Sequence, residues 1–585
     1  MKRLFTTSLL TVAMIFYLQS LSARTWYVST NGSDANNGSQ SAPYLTISKA
    51  ARLAIARDTI LISGGTYREL VSPANGGLSK NERITYMAAQ GEEVKIKGSE
   101  IVTGWERENS GVWSVKIDNE IFDNFNPFDI FVSGDWLKTN NMYHLGEIYI
   151  NEKSLQEVLT LEEVATTEGS WYGDVQDEYT LITANFDQNP NKAITEYNVR
   201  PSCFFPQTTG VNFITVKGLN LSQAATQWSA PTSEQIGVIG PNWSKGWVIE
   251  ECEISNSKCV GICLGKERAS GHNLWTLYEG KFGYMHHGFT REIESIIKAY
   301  DLGWSFENIG SHYVHDNLIY DCGQAGIVGH LGVVNSVIAH NRIDNINMDT
   351  KLEGSETAGI KLHAAIDCII ENNYITHTRR GMWFDWQVQG AHIRNNIIDD
   401  SNKQDIWVEV THGPTFIYNN IFASKVSMSF SGAKGLAFFN NLVLGKLTMW
   451  SSQERYTPYH YPHSTKLKGL FNNSDGDVKF YNNIFAGKYT PEDGGGDNGG
   501  ISNYDEYPVY SDSLSSEQEF GYDHKVFLLF KFPVWTGGNI YYKGTKPYKN
   551  EVDALYNYDT APKISLDERN GELYLVSDVE LDHRP

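Results

Sequence analysis

Asp385 and Glu409 stand 24 residues apart, and each closes a five-residue run that begins at a bend: G381-M-W-F-D385 and D405-I-W-V-E409. Two further runs align with these without gaps, G326-I-V-G-H330 and G359-I-K-L-H363. Residues of alternate parity along a strand face opposite sides. The inward pairs are then Ile327/Gly329, Ile360/Leu362, Met382/Phe384 and Ile406/Val408, apolar in all but Gly329. The outward residues form two ladders. One reads His330, His363, Asp385, Glu409, and the other Val328, Lys361, Trp383, Trp407. Parallel strands one turn apart stack at about 4.8 Å. Carboxyls about 5–5.5 Å apart suit double displacement at a glycosidic carbon, whereas about 6.5–9.5 Å leaves room for a water and suits inversion. The stacked pair therefore points to the retaining geometry. Trp383 and Trp407 are expected to offer ring faces to a pyranose, with Lys361, His330 and His363 tuning the acids or touching substrate. A third acid, Glu356 in L352-E-G-S-E356, precedes the His363 strand, on a loop from which it can reach over the groove to a hydroxyl.

A repeat must position these residues. Seven asparagines, Asn317, Asn341, Asn373, Asn396, Asn420, Asn441 and Asn483, each introduce an alternating apolar run, as in RNNIIDDS and YNNIFASK. Five of their six steps fall between 21 and 32 residues and the last is 42. A recurring period near 23 with alternation at period two marks a solenoid of short stacked strands. The prediction is an all-β, right-handed parallel β-helix, with an asparagine at a recurring bend bonding to its neighbours and to the backbone.

The remaining chain divides around that repeat. Residues 1–23, with Lys2 and Arg3 before an apolar run and Leu21-Ser22-Ala23 at its end, read as a secretory signal peptide. The expected location is periplasmic or secreted, with no membrane span after its removal. Residues 24–100 supply an N-terminal cap, including a short helix near 46–56, and the first turns. The loop with Asp34 and Asn36 reads first as a turn, although its residue types suit calcium. From 101 to 206 the asparagine pattern is absent and alternating runs such as GVWSVKI and DEYTLITANF predict an inserted β-sandwich, a natural contact domain for a homo-oligomer. The helix resumes over 207–501 with the acids, and 502–585 reads as an irregular tail packed on it. A net charge of −21 argues against nucleic acid as partner. The six cysteines lie mostly in strand-like runs and are expected to act as small core residues. Cys259-x-x-x-Cys263 lacks the partners of a zinc site, and the carboxylate chemistry needs no metal or cofactor.

Several stretches, among them GDWLKTNNMYHLGEIYIN, TVKGLNLSQAATQWSAPT, GPNWSKGW, AGIKLHAAID, GMWFDWQVQG and VEVTHGP, resemble glycoside hydrolase family 120, the bacterial β-xylosidases on a β-helix. The resemblance spans nearly all of the mature chain, insert included. It implies that Asp385 in WFDW is the nucleophile, Glu409 in VEVTHGP the acid/base, and Glu356 a substrate-binding acid, with xylo-oligosaccharides as substrate. Ser355 stands where the family is expected to carry His. Two alternatives remain at this point. One is a polysaccharide lyase using Lys361, Arg379 or Arg380 as base, or another glycosidase such as an arabinosidase or fucosidase. The other is a non-catalytic sugar-binding solenoid.

Overall fold

The computed structural model describes residues 23–108, 110–138, 142–272, 284–349, 351–450, 455–473, 475–487, 499–507 and 532–578. The signal-peptide expectation for 1–23 lies outside them, apart from Ala23. Short strands stack in parallel into three long sheets, two of 13 strands and one of seven. The seven-stranded sheet starts at Val260–Cys263 and contains Ala325–His330, Ala358–His363, Met382–Phe384 and Ile406–Thr411. Its register pairs Val328 with Lys361, Lys361 with Trp383 and Trp383 with Trp407, so both ladders stack as their spacing predicts. The interior is one continuous apolar core that runs from Trp26 to Tyr548.

The bends explain the recurring Asn-Asn pairs. The residue before each ladder asparagine adopts a left-handed backbone, with φ of 56° at Asp316, His340, Asn372, Asn395 and Asn419, and 57° at Asn440 and Asn482. Asparagine and aspartate tolerate that region better than other residues with a Cβ. The following asparagine turns inward and is buried. Its Nδ2 donates to a carbonyl of the preceding turn and to the Oδ1 of the next ladder asparagine, as Asn396 does to Ile370 O and Asn420 Oδ1 at 3.0 Å each. Its own Oδ1 accepts from the Asn373 backbone N–H and Nδ2. Asn396→Ala removes all four bonds inside the core. With orphaned buried groups costing ~1–3 kcal/mol each, destabilisation of about 3–5 kcal/mol is expected. Chemical denaturation of the purified variant measures it.

The ladder passes beyond Asn483 to Asn539, whose Oδ1 accepts from Asn483 N and Nδ2. Val534–Gly537 and Ile540–Tyr542 extend both 13-stranded sheets. This corrects the expectation of an irregular tail from residue 502: residues 534–542 add a further turn to the helix. The sequence period does not reveal this turn, because 56 residues separate the two asparagines.

Ser99–Val102 leaves the helix and Thr195–Asn198 pairs antiparallel with it on return. Between them, a four-stranded and a five-stranded sheet close over a core of Trp105, Phe128, Trp171 and Phe186, which is the inserted sandwich. A second excursion carries the helix Tyr284–Asp301, whose Ile296 and Ala299 pack with Trp304, Leu331 and Ile366. At the N-terminus the cap helix is Ile47–Leu53. Asp34 braces it: Oδ1 accepts from Leu45 N and Thr46 N, and Oδ2 from Thr46 Oγ1. Asn36 donates to Pro43 O. Asp34's carboxylate is committed to protein donors, so the loop is a turn rather than a calcium site. All six cysteines are buried and free. Among the described residues no helix is long and apolar enough to cross a membrane.

Candidate active site

Four separate pieces of chain meet over the seven-stranded sheet. The ladder strands bring Lys361, His363, Trp383 and Trp407, with Asp385 one residue past Met382–Phe384 and Glu409 inside Ile406–Thr411. Phe384 and Val408 are register partners, so Asp385 and Glu409 follow at about one strand spacing, near 4.8 Å between backbones. Glu356 enters on the loop ahead of the His363 strand. That loop is pinned from the insert, because Ser355 N donates to Trp136 O and Leu137 bridges to Gly354. The insert itself is clamped by buried Asp135, which ion-pairs with Arg291 and accepts from Thr232 Oγ1 at 2.5 Å. Arg455, just ahead of the hairpin strand Tyr456–His460, reaches Glu409 at 2.6 Å. His363, Trp383, Asp385, Trp407 and Glu409 from the ladders, Glu356 from its loop, Trp136 from the insert and Arg455, together with Phe289, Glu292 and Trp386, line a cavity of about 90 Å³.

The electrostatics separate the two acids. Asp385 Oδ2 accepts from Lys361 Nζ at 2.6 Å and Oδ1 from Trp386 N at 2.8 Å. Burial pushes the Asp385 carboxyl up, but the Lys361 ammonium and the His363 ring outweigh it and hold it below the usual range. Burial and then the Asp385 carboxylate push Glu409 up to about 7, against the pull of Arg455 and Lys361. His363 sits among three carboxyls. Burial and Lys361 lower it, yet Asp385, Glu356 and Glu292 prevail and push it up to about 9, so it is an imidazolium at neutral pH. It lies 3.1 Å from Glu356 through Nε2. Two acids one turn apart, one ionised and the other protonated, can attack a carbon and donate a proton to its leaving oxygen. Glu356, His363 and Asp385 also place possible metal-ligating atoms within 4.8 Å of one another. Lys361 Nζ already stands 2.6 Å from Asp385 and 3.7 Å from Glu356. A fixed ammonium fills the cation's place, and a metal ion there would meet its repulsion.

Three expectations from the ladders are corrected. The indole faces do not await a sugar: Trp383 and Trp407 stack on each other at 3.9 Å with 14° between planes, and Lys361 Nζ covers the Trp383 ring at 3.3 Å. Stacking at one strand spacing leaves no gap for a pyranose. Both residues do line the cavity, and their indole N–H groups have no protein acceptor among the described residues. Trp383 is 2% exposed, so Trp383→Ala should behave as a core truncation and cost about 3–5 kcal/mol. A denaturation midpoint unchanged from wild type would contradict that packing. His330, 0% exposed, lies outside the cavity lining. Its Nδ1–H donates to Pro231 O at 2.5 Å, and burial holds it well below its ordinary value, as a neutral ring under His363. Lys361 is likewise beneath the wall and acts through Asp385 and Glu356.

Sequence reasoning missed Arg455, Glu292, Phe289 and Trp136. Only the helix left a signal, since Phe289, Glu292, Ile296 and Ala299 repeat at i, i+3, i+7 and i+10 on one face.

Three family profiles match the chain. They are described as "Glycoside hydrolase 120, insertion domain" over residues 102–170, "Right handed beta helix region" over 238–443, and "Protein of unknown function (DUF1565)" over 30–75. The solved structure of XylC in complex with xylose is 40% identical, covers 94% of this chain and 89% of XylC, and superposes with a TM-score of 0.89. The chain belongs to glycoside hydrolase family 120. A family 120 member is a glycoside hydrolase on a right-handed β-helix with an inserted domain, and its substrate is an oligosaccharide. The lyase and binding-only alternatives fall away. An uncharacterised protein of Bacillus subtilis (strain 168), YwoF, is 36% identical over 75 residues, which is 13% of this chain and 16% of YwoF, so the chain spans only a small part of that relative.

Proposed function

We propose that this family 120 hydrolase is a retaining β-xylosidase that removes single sugars from the ends of xylo-oligosaccharides. The observation that carries the reading is two buried acids on neighbouring turns with different partners, Asp385 bonded to Lys361 Nζ at 2.6 Å and Glu409 paired with Arg455 at 2.6 Å, an arrangement that holds Asp385 below its ordinary value and raises Glu409 to about 7. Asp385 attacks the anomeric carbon while Glu409 protonates the departing oxygen. Glu409, then ionised beside Arg455, takes a proton from water as that water releases the sugar. The likeness to XylC, solved with xylose, supports the choice of sugar. A cavity of about 90 Å³ is well under the ~300–1,000 Å³ of ordinary ligand clefts and too small for a chain of sugars. The basic start and apolar run of residues 1–23 support export, with the mature chain beginning near Arg24. The test is proton NMR of nitrophenyl β-xyloside hydrolysis. β-Xylose appearing before the α anomer is expected, and α-xylose first would replace double displacement by inversion.

A further inference from the structure

Glu292 is the one carboxyl of the pocket, among the described residues, that neither ladder nor loop supplies. It comes from the helix Tyr284–Asp301, one turn after Phe289, and both side chains line the cavity. Ile296 and Ala299 anchor the same face to the solenoid, and Arg291 locks the helix to Asp135 of the insert. Glu292 is therefore held, at 1% exposure, by elements on both sides. Its Oε1 nonetheless has no hydrogen-bond partner among the described residues. It faces His363 Nδ1 as an ion pair at 3.1 Å, and that nitrogen too makes no other hydrogen bond among the described residues.

Glu292 Oε1 and His363 Nδ1, like the Trp383 and Trp407 indole nitrogens of the same pocket, are costly to leave without a hydrogen bond unless a ligand completes them, and only in the first pair do an acceptor and a donor face each other. One is an acceptor, and the other, on an imidazolium, is a donor. A sugar hydroxyl can serve both, accepting from Nδ1–H and donating to the carboxylate in place of a water. The last torsion of a Glu side chain is broad, so Oε1 can turn toward the cavity at little cost. We infer that Glu292 is a specificity-determining residue of the sugar pocket, binding one ring hydroxyl of the glycone jointly with His363. A pocket built to hydrogen-bond a hydroxyl rejects the analogue that lacks it, because its buried groups are then left unpaired.

This inference rests on the xylosidase reading, and the test separates the two. Wild type, Glu292→Ala and Glu292→Gln are assayed on nitrophenyl β-xyloside and on its 2-, 3- and 4-deoxy analogues, with thermal melts to confirm folding. Glu292→Ala should lower kcat/KM on the parent by roughly 10- to 100-fold. On one deoxy analogue alone, the ratio of wild type to variant should fall to within about 3-fold, since the contact is already absent there. Glu292→Gln keeps a carbonyl acceptor and should give a smaller loss with the same dependence on that hydroxyl; it carries the test if Glu292→Ala does not fold. An equal loss on all four substrates would overturn the inference and leave Glu292 as a structural neighbour of His363. A wild type inactive on the parent xyloside would refute the choice of sugar instead, and the same comparison would then be run on deoxy analogues of the glycoside it does cleave.

Discussion

Asp385→Asn is expected to lose turnover by on the order of 10⁴-fold or more in kcat, as loss of a covalent nucleophile does. The fold should survive. Asn matches Asp in size, and the Lys361 ammonium keeps Glu356 at 3.7 Å after the nearer charge has gone. Ala at this position is the poorer test. Asp385 is buried rather than on an open surface, and truncation would break a buried pair, a loss of about 3–5 kcal/mol. The Asn variant makes a second, independent prediction. Glu409 is pushed up first by burial and next by the Asp385 carboxylate. Removing that charge should lower the Glu409 titration from about 7, visible by carbon NMR of labelled glutamate. Near wild-type turnover would remove Asp385 from the nucleophile's role. An unmoved Glu409 would mean that the two acids do not sense each other.

Glu409→Ala should separate the two half-reactions. Substrates with poor leaving groups need its proton and should slow by about 10²–10⁴-fold. Dinitrophenyl xyloside needs little help, so glycosylation of Asp385 should stay fast and the covalent intermediate should accumulate for want of a base. Azide should then restore turnover. The Arg455 guanidinium, which pairs with Glu409 at 2.6 Å, would face the vacated space and attract the anion. The product should be the β-azide, because two inversions retain configuration; an α-azide would mean single displacement. The pH profile follows from the same group. The acid works while protonated, so wild-type activity should fall as pH rises through about 7, and this basic limb should vanish in the variant. A limb that persisted would belong to another residue, with Glu356 the first to examine.

The ladders and the asparagine row were legible because each depends on one residue per turn. Period-two alternation fixes which side chains point out, and equal spacing stacks them, so Asp385 over Glu409 could be read without coordinates. The same rule, followed further, would have warned that two indoles at one strand spacing must stack on each other. Trp136, Glu292 and Arg455 were not legible for a different reason. They lie in segments without the repeat, and their place in the pocket depends on how an insert, a helix and a hairpin dock on the solenoid. His330 shows the limit of the ladder in the other direction. It shares parity with Asp385, yet the Pro231 carbonyl and the Gln235 side chain close over it.

The continuous row from Asn317 to Asn539 has one property that its bonds alone do not reveal: it is translationally degenerate. Every turn of the row offers the same amide to the turn above, and most of the other inward positions are apolar. A chain threaded one turn out of step would therefore keep its interior and most of its hydrogen bonds, and the repeat carries almost nothing that marks one turn from the next. What breaks the degeneracy is the irregular material. Arg291 has one Asp135 to meet, Ser355 one Trp136 carbonyl and Arg455 one Glu409. The pieces that complete the sugar pocket are the same pieces that index the solenoid. Misthreaded chains should consequently be compact, rich in β structure and inactive.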